Sequence, residues 1–315
     1  MKFIATDSAP NKKFGNPNLT LDGQPRAHVT SEGLKTIWFN TGTLCNLACE
    51  SCYIESSPTN DRLVYLTGQE VQQFLDEIRQ DQHPVSLIGL TGGEPFMNPE
   101  VIDIMELCLL AGYDLIVLTN AMRPMMKQAQ KLISLQSRFS SQLTMRVSVD
   151  HYTRELHEAE RGRRAWEPMV KGLRWLAANG FKTDIAGRMR WTDDEEALRA
   201  GFAGLFRDLE LDIDASCNDQ LILFPEMDQQ VDVPEITEAC WGILNRDPSS
   251  VMCSNSRMVV KRKGAKTPEV VACTLLPYEE ALALGNTFTD SLVPISLNHA
   301  HCAKFCVLGG GSCAT

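Results

Sequence analysis

The sequence has no long apolar segment and no excess of basic residues. No run approaches the roughly 18 consecutive apolar residues of a membrane-spanning helix. Residues 1–7 contain no apolar core of signal-peptide length. The formal net charge of −10 argues against a nucleic-acid partner, because phosphate backbones favour clustered Lys and Arg. We therefore expect a cytoplasmic protein with neither a membrane nor a nucleic-acid partner.

Internal repeats and low-complexity segments are also absent, so the 315 residues are expected to form one large or two smaller globular cores. Eleven cysteines are present. In a reducing compartment they indicate metal or redox chemistry rather than disulfides. Cys108, Cys217 and Cys240 are scattered, which is typical of core thiols. The other eight fall into two groups.

The first group is Cys45, Cys49 and Cys52, separated by three and then two residues on one short loop. Thiolates this close can reach a single soft metal centre, such as an iron–sulfur cluster, zinc or copper(I). Cys108 is the next cysteine, but its apolar neighbours favour a buried thiol. A cubane here would therefore have one iron without a protein ligand. An open coordination position indicates chemistry, because structural sites are usually closed.

Strand-like and helical segments alternate in the region that contains this loop. The pattern predicts parallel βαβ units with right-handed crossovers. A full barrel would need eight strands, so we predict an α/β fold with a partial (β/α)6 barrel. The six predicted strands are residues 34–39, 85–90, 115–118, 143–149, 181–186 and 221–224. Thr67 and Asn98 are predicted to cap the first two helices.

Polar residues and glycines follow the predicted strands, where ligands lie in parallel α/β folds. After the second strand, Gly92 and Gly93 allow close approach of the backbone to a ligand, and Glu94 adds an acceptor before Pro95. A turn before the next helix is the alternative. Further polar residues follow the third and fourth strands: Thr119 and Asn120, then Ser148, Asp150, His157 and Arg161.

The spacing Cys45-x3-Cys49-x2-Cys52 resembles the cluster loop of the radical S-adenosylmethionine (SAM) enzymes. In that family three cysteines hold a [4Fe-4S] cluster, SAM chelates the open iron, and reduction of the sulfonium releases a 5′-deoxyadenosyl radical. Residues 92–95 are similar to the family's Gly-Gly-Glu-Pro motif, which holds the methionyl ammonium of SAM. The loop alone is also compatible with part of a zinc site.

The resemblance implies roles for four more residues. Thr119 and Asn120 look like the family's Thr-Asn pair. Ser148 is expected to approach the SAM ribose, and Arg161 could pair bidentately with the SAM carboxylate. For these two, a solvated helix start is the alternative. Ser51 departs from the family, which usually has an aromatic residue there near the adenine, so the adenine contacts stay unassigned.

The second cysteine group lies in the C-terminal region: Cys253, Cys273, Cys302, Cys306 and Cys313. Residues 257–271 read as a β-hairpin, which would bring Cys253 and Cys273 together. This order resembles the SPASM or twitch extension of radical SAM enzymes, which binds an auxiliary [4Fe-4S] cluster. Five cysteines exceed four ligands, and a zinc site or unliganded thiols remain alternatives. His299 and His301 are expected at the surface.

Three regions follow from these patterns. Residues 1–33 are an N-terminal extension, in which Asp22-Gly23 between residues 19–21 and 27–29 predicts a hairpin or an irregular strand pair. Residues 34–227 are the radical SAM partial barrel. Residues 228–315 are a small cysteine-rich α+β extension for the auxiliary cluster, with a connecting helix predicted over residues 234–244.

The resemblance implies a radical SAM oxidoreductase that abstracts hydrogen from a small molecule or short peptide in a net oxidation. No catalytic residue is assigned. The basic run 261–266 is either a solvated hairpin tip or a docking surface for an acidic electron donor such as flavodoxin or ferredoxin. The alternative functions are a non-catalytic iron–sulfur redox or sensor protein, and a zinc-stabilised interaction protein.

Overall fold

The computed structural model describes residues 12–191, 194–226 and 231–311. Its strands form a nine-stranded sheet and a separate two-stranded sheet. The strands are β1 (His28–Val29), β2 (Thr36–Asn40), β3 (Leu87–Thr91), β4 (Asp114–Thr119), β5 (Leu143–Ser148), β6 (Lys182–Met189), β7 (Leu221–Pro225), β8 (Ser256–Val260), β9 (Glu269–Val271), β10 (Ala283–Gly285) and β11 (Ile295–Ser296).

Helices connect the strands and cover the large sheet. They are α1 (Gly68–Gln80), α2 (Val101–Leu110), α3 (Arg123–Met126), α4 (Ala129–Phe139), α5 (Arg154–Arg161), α6 (Trp166–Ala178), α7 (Glu195–Asp208) and α8 (Cys240–Leu244). Short 3₁₀ turns lie at Pro95–Met97, Pro248–Ser250, Met252–Ser254 and Glu280–Leu282, and a π-helix spans Cys302–Leu308. Within the described residues, no helix is long and apolar enough to cross a membrane.

The central part of the sheet consists of the six predicted strands. Strands β2 to β7 lie side by side in chain order, and each pairs with the next in parallel. Helices separate successive strands, because parallel strands need a long crossover connection. The α/β prediction and the six parallel strands are confirmed. In the described part of the chain, β10 and β7 form the two edges of the sheet.

The C-terminal region extends the same sheet. Strand β8 pairs in parallel with β2, and β9 and β10 follow in antiparallel pairing. Met258 faces Val271 across the β8–β9 pair, which confirms the predicted hairpin. The proposed boundary near residue 228 remains a prediction.

The core packs the sheet against α1, α2, α4 and α6 through apolar side chains. Helix α1 begins with the predicted capping box: the Glu70 backbone N–H donates to Thr67 Oγ1 (3.2 Å), and the Thr67 N–H donates to Glu70 Oε2 (3.0 Å). Helix α2 begins at Val101, slightly later than predicted. The Asn98 side chain still makes the bond of a helix cap, because its Oδ1 accepts a hydrogen bond from the Glu100 N–H (2.9 Å). The Asn98 amide nitrogen also donates to the carbonyls of Thr41 (3.3 Å) and Leu66 (2.9 Å).

Two peripheral predictions need correction. The helix expected over residues 234–244 covers only Cys240–Leu244. The N-terminal turn at Asp22-Gly23 forms, with an isolated bridge between Leu19 and Pro25, but β1 pairs with the distant β11. Residues 1–11 of the N-terminal extension lie outside the described residues.

Candidate functional site

A cavity opens at the carboxyl ends of β2 to β7, on the side where the cysteine loop lies. Its lining includes the three cysteines of the loop and residues that follow four neighbouring strands. Most of the predicted cofactor-binding residues lie on this cavity: Gly92, Gly93, Thr119, Asn120, Ser148 and Arg161, together with Cys45, Cys49 and Cys52. Glu94 and Pro95 are buried beside it.

The two glycines after β3 allow a close approach between two backbone segments. The Gly93 N–H donates to the Gly42 carbonyl (2.9 Å), and the Glu94 N–H donates to the Leu44 carbonyl (3.2 Å). A Cβ on Gly92 would overlap the Gly42 carbonyl, and one on Gly93 would overlap that of Leu44. Because both positions are glycine, the backbone of the cysteine loop can lie directly against this turn. The two glycines also border the cavity.

The Glu94 carboxylate connects the end of β3 to the end of β4. It accepts hydrogen bonds from Thr119 Oγ1 (2.9 Å), the Asn120 N–H (2.8 Å) and the Phe96 N–H (3.2 Å). Burial raises the pKa of Glu94 to about 7, although these donors oppose the shift. Glu94 thus organises its own turn and its neighbour through buried hydrogen bonds.

Asn120 extends this connection to the cysteine loop. Its amide nitrogen donates to Oδ1 of Asn46 (2.9 Å), the residue after Cys45. The loops after β2, β3 and β4 are therefore joined by a continuous set of hydrogen bonds. The predicted Thr119-Asn120 pair lies at the centre of this set.

Arg161 lies at the end of α5, beside the carboxylate of Asp150. Its Nε donates to Asp150 Oδ2, and its Nη2 donates to Oδ1 (3.2 Å). Burial alone would raise the pKa of Asp150, but the Arg161 charge overrides it, and the pKa lies below its usual value. The Nε–Nη2 edge of Arg161 is thus already paired. A bidentate contact of that edge with another carboxylate, as the sequence predicted, would require Asp150 to move.

His157 is fully buried on α5 rather than lying at a solvated helix start. Its ring meets Trp166 edge-on at 5.4 Å, and neither ring nitrogen has a hydrogen-bond partner in the described structure. Burial, with Arg161 nearby, lowers its pKa to about 4. His157 is therefore neutral at physiological pH.

Ser51 is held by Glu160, a residue that the sequence did not single out. The Ser51 N–H donates to Glu160 Oε1 (3.0 Å), and its hydroxyl donates to Oε2 (3.0 Å). Arg188 and Arg190 neutralise this buried carboxylate. Arg188 also pairs with Glu226 (2.8 Å). The position where the family usually has an aromatic side chain thus connects the cysteine loop to α5 and β6 through charge-assisted bonds.

The aromatic lining of the cavity comes from other elements: Trp38, Tyr53, Phe224 and Phe305. Arg188 lies over the Tyr53 ring, 4.8 Å from its centroid. Nε1 of Trp38 is buried without a hydrogen-bond partner in the described structure. No local sequence pattern could have identified these four residues, because they come from separate elements: β2, the cysteine loop, β7 and the π-helix.

The cysteine loop offers thiols in a setting that suits a cluster. Burial raises the pKa of Cys45 to about 12 and that of Cys49 to about 11, while Arg161 opposes both shifts. Backbone N–H groups donate to two of the sulfurs, from Leu47 to Cys45 (3.4 Å) and from Ser56 to Cys52 (3.3 Å). Such N–H donors stabilise thiolate ligands, and metal binding would displace the thiol protons.

The three sulfurs of the loop do not all lie within 4.8 Å of one another in this structure. Thiolates on one tetrahedral zinc lie about 3.8 Å apart. Among the described residues, the one set of three His, Cys, Asp or Glu ligand atoms within 4.8 Å of one another contains no cysteine. A cubane attaches each thiolate to a different iron, so it tolerates wider spacing.

Four of the five C-terminal cysteines lie in the described structure, and Cys313 lies outside it. Cys253 precedes β8, Cys273 follows β9, and Cys302 and Cys306 lie on the π-helix. Burial raises the pKa of Cys253 and that of Cys302 to about 12, with contributions from the neighbouring thiols Cys273 and Cys253, respectively. The structure thus places Cys253 near Cys273 and near Cys302, while Cys306 borders the same apolar clusters as Cys253.

Cys240 also packs against the apolar cluster that borders Cys253, Cys302 and Cys306. Its sulfur accepts a hydrogen bond from the Thr237 N–H (3.4 Å). Cys108, by contrast, is fully buried in the barrel core, as predicted. Sequence spacing separated Cys240 from the C-terminal group, and only the fold places it nearby.

The expected surface position is wrong for His301, and the basic run carries ion pairs that the sequence did not predict. His301 is buried, not at the surface, and its ring lies 4.6 Å from that of His299. The basic run on the hairpin is paired with acidic groups: Lys261 with Glu70 (2.5 Å), Arg262 with Glu269, and Lys263 with Asp61 (2.5 Å). These pairs reduce the positive field that a docking partner would meet.

The part of the sequence that forms this site matches the model of a known protein family. The model of the Radical SAM superfamily matches residues 39–199, which is more than half of the chain. The match spans the cysteine loop, the turn at Gly92–Pro95 and the Asp150–Arg161 pair.

Curated relatives match a similar share of the chain. The antilisterial bacteriocin subtilosin biosynthesis protein AlbA of Bacillus subtilis is 27% identical over 143 residues, 45% of this chain and 30% of AlbA. The mycofactocin maturase MftC of Mycobacterium ulcerans is 28% identical over 137 residues, 44% of this chain and 35% of MftC. The chain therefore covers about a third of the length of these relatives.

Among solved structures, Streptococcus suis SuiB has a similar fold. SuiB bound to S-adenosylmethionine has a TM-score of 0.58 at 11% identity, covering 80% of this chain and 63% of SuiB. SuiB bound to its precursor peptide SuiA has a TM-score of 0.56 at 12% identity, covering 80% of this chain and 62% of SuiB. At these identities the likeness shows the fold.

Proposed function

Because the chain belongs to the radical SAM superfamily, we propose that it is an enzyme that reductively cleaves SAM and abstracts hydrogen from a peptide. The observation that carries this proposal is the joining of three loops around one cavity. The cysteine loop, the Gly-Gly-Glu turn and the Thr119-Asn120 pair are linked there by buried hydrogen bonds. Cysteines that serve only as buried core thiols would not need three loops to be linked in this way.

Cys45, Cys49 and Cys52 are the proposed ligands of a [4Fe-4S] cluster. Such a cluster, with SAM bound, supplies the electron that cleaves the sulfonium and so generates the 5′-deoxyadenosyl radical. The chain's own task is to keep the three thiolates in place and leave the fourth coordination position open. The N–H donors of Leu47 and Ser56 and the charge of Arg161 favour thiolates at this loop.

SAM would lie along the strand ends. The exposed backbone groups of Gly92 and Gly93 are the proposed contacts of the methionyl ammonium, next to Glu94 and Pro95. Thr119 and Asn120 hold that turn, and Ser148 is proposed to contact the ribose. Arg161, paired with Asp150, would meet the SAM carboxylate through Nη1. The aromatic side chains of the cavity are candidates for the adenine contact that Ser51 does not provide.

The C-terminal cysteines are the proposed ligands of an auxiliary [4Fe-4S] cluster. The interactions of Cys253 with Cys273 and with Cys302, and the position of Cys306 beside the same apolar clusters, support this proposal, and Cys313 remains a fifth candidate. Thr274 and Leu275, which follow Cys273 in the chain, and Phe305, which precedes Cys306, line the cavity. An auxiliary cluster close to the cavity would accept an electron from a product radical, which favours a net oxidation such as dehydrogenation or thioether formation.

A peptide is the proposed substrate class. One relative is named for the biosynthesis of a bacteriocin, another is named a mycofactocin maturase, and SuiB has been solved bound to the precursor peptide SuiA. These facts support a peptide over the free small molecule that the sequence left open. The apolar and aromatic half of the cavity would accommodate a side chain, while the arginines beside Glu160 and Glu226 border its polar end.

Reduction of the first cluster requires a one-electron donor such as flavodoxin or ferredoxin. The basic run 261–266 stays a candidate docking surface, although the pairing of Lys261, Arg262 and Lys263 with acidic groups reduces its positive field. Reduced clusters and free thiols are compatible with the cytoplasm, which is the proposed location.

The proposal is tested by anaerobic reconstitution with iron and sulfide, followed by dithionite and SAM, with 5′-deoxyadenosine quantified by chromatography. Deoxyadenosine is the expected product. A library of synthetic peptides deuterated at Cα and Cβ is then added, and deuterium is expected in the deoxyadenosine when the substrate class is right.

Bound iron without deoxyadenosine, even with peptides present, would overturn the enzyme assignment and support the non-catalytic redox or sensor protein. Deoxyadenosine without deuterium transfer from any peptide would retain SAM cleavage and remove the peptide assignment. A colourless protein that binds zinc in place of iron would instead support the zinc-stabilised interaction protein.

A further inference from the structure

The end of helix α1 carries a cluster of metal-ligand side chains far from the cysteines. Glu77 and Asp81 lie one helical turn apart, and His83 follows in the loop before β3. One ligand atom from each of the three residues lies within 4.8 Å of the other two. In the described part of the chain, no other group of His, Cys, Asp and Glu meets this spacing.

The imidazole of His83 supplies an observation independent of the two acids. Its side chain is 9% exposed, and its Nε2 is buried without a hydrogen-bond partner in the described structure. Nε2 faces Asp81 Oδ2 at 4.0 Å, which is too far for a hydrogen bond. A buried imidazole nitrogen directed at carboxylates leaves room for an ion between them, and a shared cation would satisfy it.

Neighbouring groups orient these ligands. Glu77 Oε1 accepts hydrogen bonds from the backbone N–H groups of Phe288 (2.6 Å) and Thr289 (3.4 Å). The Thr289 hydroxyl donates to Asp81 Oδ2 (2.9 Å). The Phe288 ring meets the His83 ring edge-on, with centroids 6.1 Å apart. Outer contacts of this kind fix ligand orientation in metal sites.

We propose that Glu77, Asp81 and His83 bind a divalent first-row transition-metal ion, which fastens α1 to the segment around Phe288 and Thr289. One imidazole and two carboxylates suit manganese, iron(II), cobalt, nickel or zinc, whereas magnesium and calcium prefer oxygen ligands alone. Water would complete the coordination. Because Phe288 is fully buried against Phe74, the ion would stabilise the packing of the C-terminal region on the barrel.

This site is separate from the proposed SAM chemistry. His83 precedes β3, whereas the cysteine loop follows β2. Because β2 and β3 are parallel, His83 lies at the amino ends of the strands and the cysteine loop lies at their carboxyl ends. The ion would therefore have a structural role, and loss of metal at this site should leave SAM cleavage in place.

Manganese(II) is the probe, because it prefers oxygen and nitrogen ligands and avoids competition from the thiols. Full-length protein is reconstituted anaerobically with its clusters, desalted and titrated with manganese(II). The signal of free manganese is followed by room-temperature EPR. One saturable site per chain is expected in the wild type. We expect His83→Ala to weaken binding at least about tenfold.

Glu77→Gln provides a milder test, since its amide oxygen can still accept from the Phe288 N–H while the charge is lost. It is also expected to weaken manganese binding. Asp76→Asn is the matched control on the same helix, because Asp76 pairs with Arg79 and lies outside the cluster. Its manganese affinity should equal that of the wild type.

Thermal unfolding distinguishes metal binding from a purely structural contact. Manganese should raise the unfolding temperature of the wild type and of Asp76→Asn, but not that of His83→Ala or Glu77→Gln. The proposal is overturned if the wild type shows no saturable site, or if Glu77→Gln and His83→Ala bind manganese as tightly as Asp76→Asn.

Discussion

The cysteine loop at residues 45–52 is surrounded by buried hydrogen bonds and ion pairs, whereas the C-terminal cysteines are surrounded mainly by apolar side chains. Around the loop, Glu94 and Glu160 each join two or more chain segments. Around the C-terminal group, the neighbours are two hydrophobic clusters. One site is oriented by directional contacts, and the other by packing.

This difference explains what each region can do. Directional bonds hold the first three thiols in one arrangement with an open side toward the cavity, as a site for chemistry requires. Apolar burial around the second group lowers solvent access and dielectric, which suits a cluster that exchanges electrons. Substitutions should therefore affect the two regions differently.

The largest expected effect is that of Cys49→Ala in the first region. Loss of one of three thiolates should remove the first cluster and all deoxyadenosine formation, while about four of about eight irons per chain remain. Iron analysis and the SAM-cleavage assay measure both outcomes. Cys108→Ala is the control and should retain all iron, because Cys108 lies in the barrel core. Retained SAM cleavage in Cys49→Ala would remove the central assignment.

Gly93→Ala should be the next most damaging change. The new Cβ would overlap the Leu44 carbonyl, so the cysteine loop must shift. We expect a loss of about 1–3 kcal/mol in the free energy of unfolding and much slower SAM cleavage. Urea denaturation and the deoxyadenosine assay test this.

Gly204→Ala, in helix α7, is the matched control. A Cβ there meets only Arg207 Nη2 at 3.7 Å. It should stabilise the protein by about 0.5–1 kcal/mol, because Ala is the better helix former. Equal effects of the two substitutions would contradict the close approach at Gly93.

Cys273→Ala tests the second region. We expect loss of the auxiliary iron and a fall in product formation, while uncoupled SAM cleavage survives. Iron content and the ratio of product to deoxyadenosine are the measurements. Cys217→Ala, which lies in the connection before β7, should change neither. Unchanged iron in Cys273→Ala would count against the auxiliary site.

The smallest effect is expected for Ser51→Ala. This change removes the hydroxyl bonds to Glu160 and Arg190 but leaves the Ser51 backbone bond intact. The expected loss is about 1–2 kcal/mol in the free energy of unfolding, with slower SAM cleavage. The exposed Ser137→Ala should change stability by less than about 0.5 kcal/mol. If the two variants unfold alike, the Ser51–Glu160 contact contributes nothing to holding the loop.

The strand order and the radical SAM family followed from local patterns in the sequence, and both predictions are confirmed. Apolar strands alternate with capped helices, and the cysteine loop and the turn at Gly92–Pro95 are continuous motifs. Strand β8 could not be placed in this way. Its pairing with β2 joins segments more than 200 residues apart, and no local signal in either strand specifies it.

Other differences arose where a tertiary contact replaced a local preference. Asn98 was expected only as a helix cap, but its amide nitrogen also donates to the Thr41 and Leu66 carbonyls, and regular helix begins only at Val101. His301 looked polar and exposed, but it is buried on the turn that leads into the π-helix. Glu160 has no motif around it, yet it holds Ser51. The group of possible metal ligands around His83 likewise depends on side-chain placement at the end of α1.

The measurement that tests the account most directly is iron content per chain together with deoxyadenosine formation in the reconstituted wild type. Two cluster sites predict about eight irons per chain with deoxyadenosine formed. About four irons with deoxyadenosine would retain the enzyme and remove the auxiliary cluster, and with it the comparison of the two regions. Bound iron without deoxyadenosine would contradict the proposed chemistry itself.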